Sequence, residues 1–150
     1  MTPAMAALPA AWVGVRRDIP FTAYARRGIL MAWRVRGTLI FDAWYDELNE
    51  REREDVIASV DLLKAAGPHL GFPHSSAING SKHPHMRELR IQHAGRPYRI
   101  LYAFDPKRAA ILLMGGDKTG DNRWYDRAIR LADRLYDEHL AELRTQEEIN

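Results

Sequence analysis

The sequence predicts an α+β domain in which an N-terminal strand and a helical hairpin pack on an antiparallel sheet, with a C-terminal helix to follow. Three observations lead there. Apolar residues recur at helical spacing in two adjoining stretches before residue 67, alternate with a period of two in three runs between 86 and 114, and return to helical spacing from 124. At 150 residues the chain is long enough to bury one core and short for two.

Each element has its own local signal. Residues 1–30 are Ala- and Pro-rich at first, then carry Arg16, Arg17, Arg26 and Arg27 around short apolar segments, and are read as an extension preceding a domain of residues 31–150. From Trp33 the alternation W-R-V-R predicts a short strand. Thr38 stands as a helix cap before Phe41, Trp44, Tyr45 and Leu48, which share a helical face. A second helix is expected over 50–66, with Val56, Ile57, Val60 and Leu63 on its apolar side and Gly67-Pro68 at its end. Gly, Pro, Ser and His dominate 68–84, which reads as a loop. Strands are expected over 86–92, 98–104 and 109–114, separated by turn-like His93–Pro97 and Asp105–Arg108. The last helix is expected over 124–144, with Ile129, Ala132, Leu135, Leu140 and Leu143 inward and an acidic outer face.

Composition narrows the function classes. With 46% hydrophobic and 28% charged residues the chain is neither disordered nor fibrous, and no apolar run approaches the roughly 18 residues of a membrane span. The absence of cysteine excludes disulfides, thiolate zinc sites and a cysteine nucleophile, and suits a reducing cytoplasm. The net charge of +2 hides a segregation: residues 81–130 hold 11 basic and 5 acidic side chains, whereas 131–150 hold 2 and 6. A basic block inside a folded region is the footprint of an anion-binding face, nucleic acid being the commonest macromolecular anion. The competing reading is an ordinary solvated surface with paired charges.

Alternation places Glu88, Arg90 and Gln92 on one face of their strand and Arg87, Leu89 and Ile91 on the other. In the next strand Arg99 shares a face with Leu101 and Ala103, so the turn register decides whether Arg99 lies beside Arg90. Two guanidinium groups there require an anion or a carboxylate between them, and an Arg90–Glu88 or Arg99–Asp pair is the plainer explanation of the pattern. Lys118 sits in G-G-D-K-T-G, where a strand end meets a glycine-rich turn; the spacing is not that of a phosphate-binding Walker loop. His74, His83 and His85 lack the partners of a metal site, no G-x-S-x-G elbow is present, and Trp124 and Tyr125 suit either base stacking or the core.

The ordered set S-K-H-P-H-M-R-E-L-R-I-Q-H-A-G-R-P-Y-R-I-L-Y-A-F-D, then I-L-L-M-G-G-D-K-T-G, resembles the RelE/ParE superfamily of bacterial toxins, in particular its HigB-like, phage-derived branch. The resemblance covers about residues 32–144. It implies a RelE-like fold and a ribosome-associated, metal-independent endoribonuclease acting on mRNA, without a cofactor and silenced by a cognate antitoxin, often of helix-turn-helix type. By position it assigns the catalytic roles to Arg90, Arg99, Lys118, Lys82 and Tyr125. The neighbouring Lys82, His83, His85, Arg87 and Arg96 are expected to contact RNA, and Lys82, His83, His85 or Tyr125 to move protons. Two positions depart from the family pattern: its paired K-K before Thr is Asp117-Lys118 here, and the T-P that follows is absent. Two rival functions share this fold, a ParE-like inhibitor of DNA gyrase and a catalytically degenerate module that only binds the antitoxin. The acidic segment 133–148 is a further candidate to shield Arg90.

Overall fold

The computed structural model describes residues 32–149; the expected extension over 1–30 lies outside the described residues. The elements run β1 (Arg34–Gly37), α1 (Leu39–Glu47), α2 (Glu50–Ala66), a 3-10 turn (Gly67–His69), β2 (Ser75–Ala77), β3 (Arg87–His93), β4 (Arg96–Phe104), β5 (Ala109–Asp117) and α3 (Trp124–Ile149). The five strands form one sheet in the order β1-β5-β4-β3-β2. The α+β architecture is the one the periodicities predict. Two features differ from the expected antiparallel meander. β1 joins the edge parallel to β5, and β2 arises within the stretch read as a loop, where Ser75 pairs with Leu89 and Ala77 with Arg87.

Local chemistry accounts for the element boundaries. Thr38 caps α1: its Oγ1 accepts the Phe41 amide at 3.0 Å and donates to the Leu113 carbonyl at 2.6 Å, so one hydroxyl starts a helix and ties it to β5. Asn49 and Glu52 close a reciprocal capping box at the start of α2, with bonds of 2.9 and 2.8 Å. Between β3 and β4 the turn is only two residues, Ala94 and Gly95, both at positive φ, the conformation a tight hairpin needs to follow the strand twist. Arg96 and Pro97 therefore belong to β4 rather than to a longer turn.

The sheet is covered on both faces. α1 and α2 bury Phe41, Tyr45, Val60 and Leu63 against Leu89, Ile100 and Leu112 on one side. α3 lays Trp124, Ala128, Ala132 and Leu135 on Leu101, Ile111 and Leu113 on the other. β5 continues through Gly115 and Gly116 to Asp117, beyond the expected end at 114, because these residues pair with Ile100, Arg99 and Tyr98 of β4, and the two glycines admit close approach from both layers. A Cβ on Gly115 would lie 2.5 Å from the Trp44 ring, and one on Gly116 2.8 Å from Trp124 Nε1. Farther along, α3 is fixed by a buried pair in which His139 Nε2 meets Asp105 Oδ2 at 2.7 Å, while Tyr136 donates to the Phe104 carbonyl at 2.8 Å. Among the described residues no helix is long and apolar enough to cross a membrane.

One buried carboxyl works against this packing. Neither oxygen of Asp42, on the first turn of α1, finds a hydrogen-bond partner among the described residues, and burial, followed by the nearby Asp46 carboxylate, pushes its pKa from the ordinary 3.8 to about 7. Between those values the folded protein holds a proton that the unfolded chain has released, so the stability Asp42 contributes at low pH is lost as pH rises toward 7. Asp42→Asn is expected to escape that loss. The difference in melting temperature between variant and parent should grow from pH 4 to pH 8, each tenfold difference in proton affinity between the folded and unfolded chains being worth about 1.4 kcal/mol. A constant difference across that range would contradict the assignment.

Candidate active site

The β3–β4 hairpin brings two arginines face to face. Its register pairs Arg90 directly with Arg99, and β4 in turn pairs Arg99 with Gly116 of β5. Lys118 follows two residues beyond Gly116, its amide donating to the Pro97 carbonyl at 3.0 Å and its Nζ lying 5.7 Å from the centre of the Tyr125 ring. Three cations thus gather at one end of the sheet, on the α3 side.

The buried Glu88 makes the arrangement possible. Its Oε1 lies 3.3 Å from Arg99 Nε and its Oε2 3.3 Å from Arg90 Nη1, and the same carboxylate accepts Tyr125 Oη at 2.5 Å and Ser76 Oγ at 2.7 Å. The carboxylate required between the guanidinium groups is therefore present, and it serves both of them. The side chains of Glu88 and Arg99 are each 6% exposed, whereas Arg90 is 30% exposed. Arg99 is anchored within the fold, also donating to its neighbour's carbonyl, Tyr98 O, at 3.0 Å. Arg90 faces outward beside a cavity of about 300 Å³ lined by Pro73, Arg90, Gln92 and Arg99.

Tyr125 reaches this cluster from the first turn of α3 and lines an adjoining cavity of about 240 Å³ with Glu88. Burial first, and then its hydrogen bond to Glu88, push the phenol pKa up. Tyr125 consequently remains protonated at neutral pH and acts as a donor to the carboxylate. Asp117 turns away from the cluster: its carboxylate caps the following turn through Thr119 N at 2.9 Å and Thr119 Oγ1 at 2.5 Å and pairs with Arg96 at 3.2 Å. Although burial acts to raise it, these hydrogen bonds and Arg96 hold the Asp117 carboxyl below its usual range.

Of the residues singled out in the sequence, Arg90, Arg99, Lys118 and Tyr125 come together and the rest do not. Lys82 pairs with Asp137, and its amide donates to Asp133 at 3.2 Å. Those partners lie 8 and 12 residues beyond Tyr125 on α3, about 12–18 Å along its axis. The Asp137 hydrogen bond pushes the Lys82 pKa up, which keeps it a cation rather than a base. His83 also meets Asp137, at 2.8 Å, with its ring edge-on to Tyr136. Exposed His85 lines a separate cavity with Trp33 and Phe104. Arg87 projects to the opposite face of β3, donating to Ser75 Oγ at 3.1 Å and the Leu70 carbonyl at 3.3 Å. Arg96 is held between Asp117 and Glu52 over the Tyr98 ring. The acidic residues of α3 do not shield Arg90: Asp133 and Asp137 engage Ser81, Lys82 and His83, and Glu147 pairs with Lys107 at 3.2 Å. Ser76 escaped the sequence reading because nothing local marks it; only the β2–β3 pairing carries it to Glu88.

A family profile described as phage-derived protein Gp49-like (DUF891) matches residues 43–137. The chain is 44% identical over 102 residues to a Mycobacterium tuberculosis protein named toxin HigB2, a match covering 67% of this chain and 51% of that relative. It is 46% identical over 101 residues to another from the same organism, named toxin HigB3, covering 67% of this chain and 87% of that relative. The match thus spans about half the length of the HigB2 relative. No solved structure matches the chain significantly.

The cluster makes a direct prediction about stability. Replacing Glu88 by Ala leaves the buried Arg99 without its counter-charge, which is expected to cost about 3–5 kcal/mol. Chemical denaturation of Glu88→Ala should show that loss, and unfolding at the parental midpoint would contradict the pairing.

Proposed function

The chain belongs to the phage-derived Gp49-like family as a HigB-like toxin of a toxin–antitoxin system, and from that membership and the arginine cluster we propose that it is an endoribonuclease that cuts mRNA. The observation that carries the reading is the in-register Arg90–Arg99 pair beside an open cavity, with Lys118 at the same end of the sheet. One carboxylate, Glu88, against Arg90, Arg99 and Lys118 leaves this cluster positive, since Asp117 and Glu52 are paired with Arg96, and a positive cluster suits a phosphodiester.

The reaction follows from what these groups can do. The RNA's own 2′-hydroxyl attacks the adjacent phosphorus while its proton passes to water, and the P–O5′ bond breaks as the departing 5′-oxygen takes a proton from water, leaving a 2′,3′-cyclic phosphate and a 5′-hydroxyl. Negative charge builds on the equatorial oxygens as the phosphorus becomes five-coordinate. Arg90 presents its guanidinium fork to those oxygens, Arg99 supports it from within the sheet, and Lys118 adds a third positive charge. Neither arginine acts as a base, because guanidinium stays protonated. Glu88 and Tyr125 are positioning residues, since the phenol holds the carboxylate and the carboxylate holds both guanidiniums. Preorganised donors of this kind contribute about 10²–10³ in rate each.

In this reading the substrate is mRNA on the ribosome and the setting cytoplasmic, with a cognate antitoxin, of the helix-turn-helix type, covering the basic face. Lys82 lies outside the catalytic group. Transcript 5′ ends mapped shortly after induction should show new ends within coding regions for the wild-type chain and for Lys82→Ala, and none for Arg90→Ala at equal folded protein. Growth arrest without new ends would overturn the reading and point to a target such as gyrase.

A further inference from the structure

Phe72 is 76% exposed, an unusual position for a large aromatic side chain, and neither the core nor the Glu88 cluster makes use of it. The guanidinium carbon of Arg90 lies over its ring, 5.1 Å from the centre. The next residue, Pro73, forms a wall of the cavity that Arg90 and Arg99 line. The two other exposed large apolar side chains among the described residues, Leu39 and Ile40, belong to α1, which packs on the opposite face of the sheet from α3.

The segment carrying Phe72 is held in place from both sides. Arg87 Nη2 donates to the Leu70 carbonyl at 3.3 Å, and the Gly71 carbonyl accepts the amides of His74 and Ser75, each at 3.0 Å. Just beyond, the Arg90 amide donates to the His74 carbonyl at 2.9 Å, so the segment is tied to the strand that bears the arginine. The ring is thus presented on a braced support.

We propose that Phe72 is a stacking platform for a nucleobase of single-stranded RNA whose flanking phosphate is bound by Arg90. This inference rests on the endoribonuclease reading and extends it to the positioning of the substrate. A surface that docks a protein needs a contiguous apolar patch, whereas a single aromatic ring next to a cation is the pairing used to hold an unpaired base beside its phosphate. One ring face already carries the guanidinium, and the ring's exposure leaves area for a base. Every base has a π-face, so Phe72 contributes affinity and alignment rather than sequence preference.

The test uses a single-stranded 2′-O-methyl oligonucleotide of mixed sequence carrying 2-aminopurine, which the mechanism cannot cut and whose fluorescence falls when the base stacks. The wild-type chain and Phe72→Tyr are expected to bind and quench it. Phe72→Ala should lose the quenching and bind about 5- to 150-fold more weakly, with an unchanged circular dichroism spectrum because the side chain is exposed. Arg90→Ala serves as the control for phosphate binding. Weakened binding by Arg90→Ala together with wild-type binding and quenching by Phe72→Ala would overturn the stacking role and leave the phosphate site standing. Failure of the wild-type chain to bind the probe would overturn both.

Discussion

A single buried carboxylate sets the terms for this end of the molecule. Hairpin register forces Arg90 and Arg99 into direct opposition, and two guanidinium groups on neighbouring strands repel unless a negative charge lies between them. Glu88 supplies it from the same face of β3, and it draws Ser76 of β2 and Tyr125 of α3 to itself as well. Buried ion pairs recover their desolvation cost only when most of their lone pairs and protons are satisfied; Glu88 accepts three hydrogen bonds, from Arg90, Ser76 and Tyr125, and has the Arg99 charge 3.3 Å away. The consequence is that three separate elements must be correctly placed before the arginines can be.

The sheet provides that placement. Gly115 and Gly116 let Trp44 and Trp124 approach β5 from opposite sides, so the start of α3, and with it Tyr125, is seated close to the strand that leads into Lys118. At the other end of the sheet His139 and Asp105 hold α3 against the β4–β5 turn, which stops the helix from pivoting about its first residues. The positions proposed for phosphate binding are borne on strands β3 and β4 and on the residue just past β5, with Tyr125 at a helix terminus, rather than on long loops, the arrangement that keeps side chains within narrow limits of position.

Much of this was legible in the chain. Strict alternation through E-L-R-I-Q and Y-R-I-L-Y-A places Glu88, Arg90 and Arg99 on a common face once the strands pair, and the short turn at Ala94-Gly95 fixes the register. Helix boundaries followed from Thr38 and from the 50–66 stretch because capping and amphipathic spacing are local. The parallel β1–β5 pairing, the short β2 and the contribution of Ser76 were not legible, since each depends on contacts between residues remote in sequence. Proximity in sequence misled at Lys82 and His83: they precede β3 closely, yet the carboxylates of α3 draw them away from the arginines. Arg87 shows the converse, one residue from Glu88 and on the far side of the sheet.

The central claim is that the Glu88-anchored arginine pair is a phosphate site for RNA. Its most direct test is an NMR titration of the arginine Nε–Hε resonances with a 2′-O-methyl single-stranded oligonucleotide. The Arg90 resonance should move in a saturable way while Arg99, locked to Glu88, shifts less and stays protected from solvent exchange. An unchanged Arg90 resonance, with shifts confined to arginines elsewhere on the surface, would contradict the account.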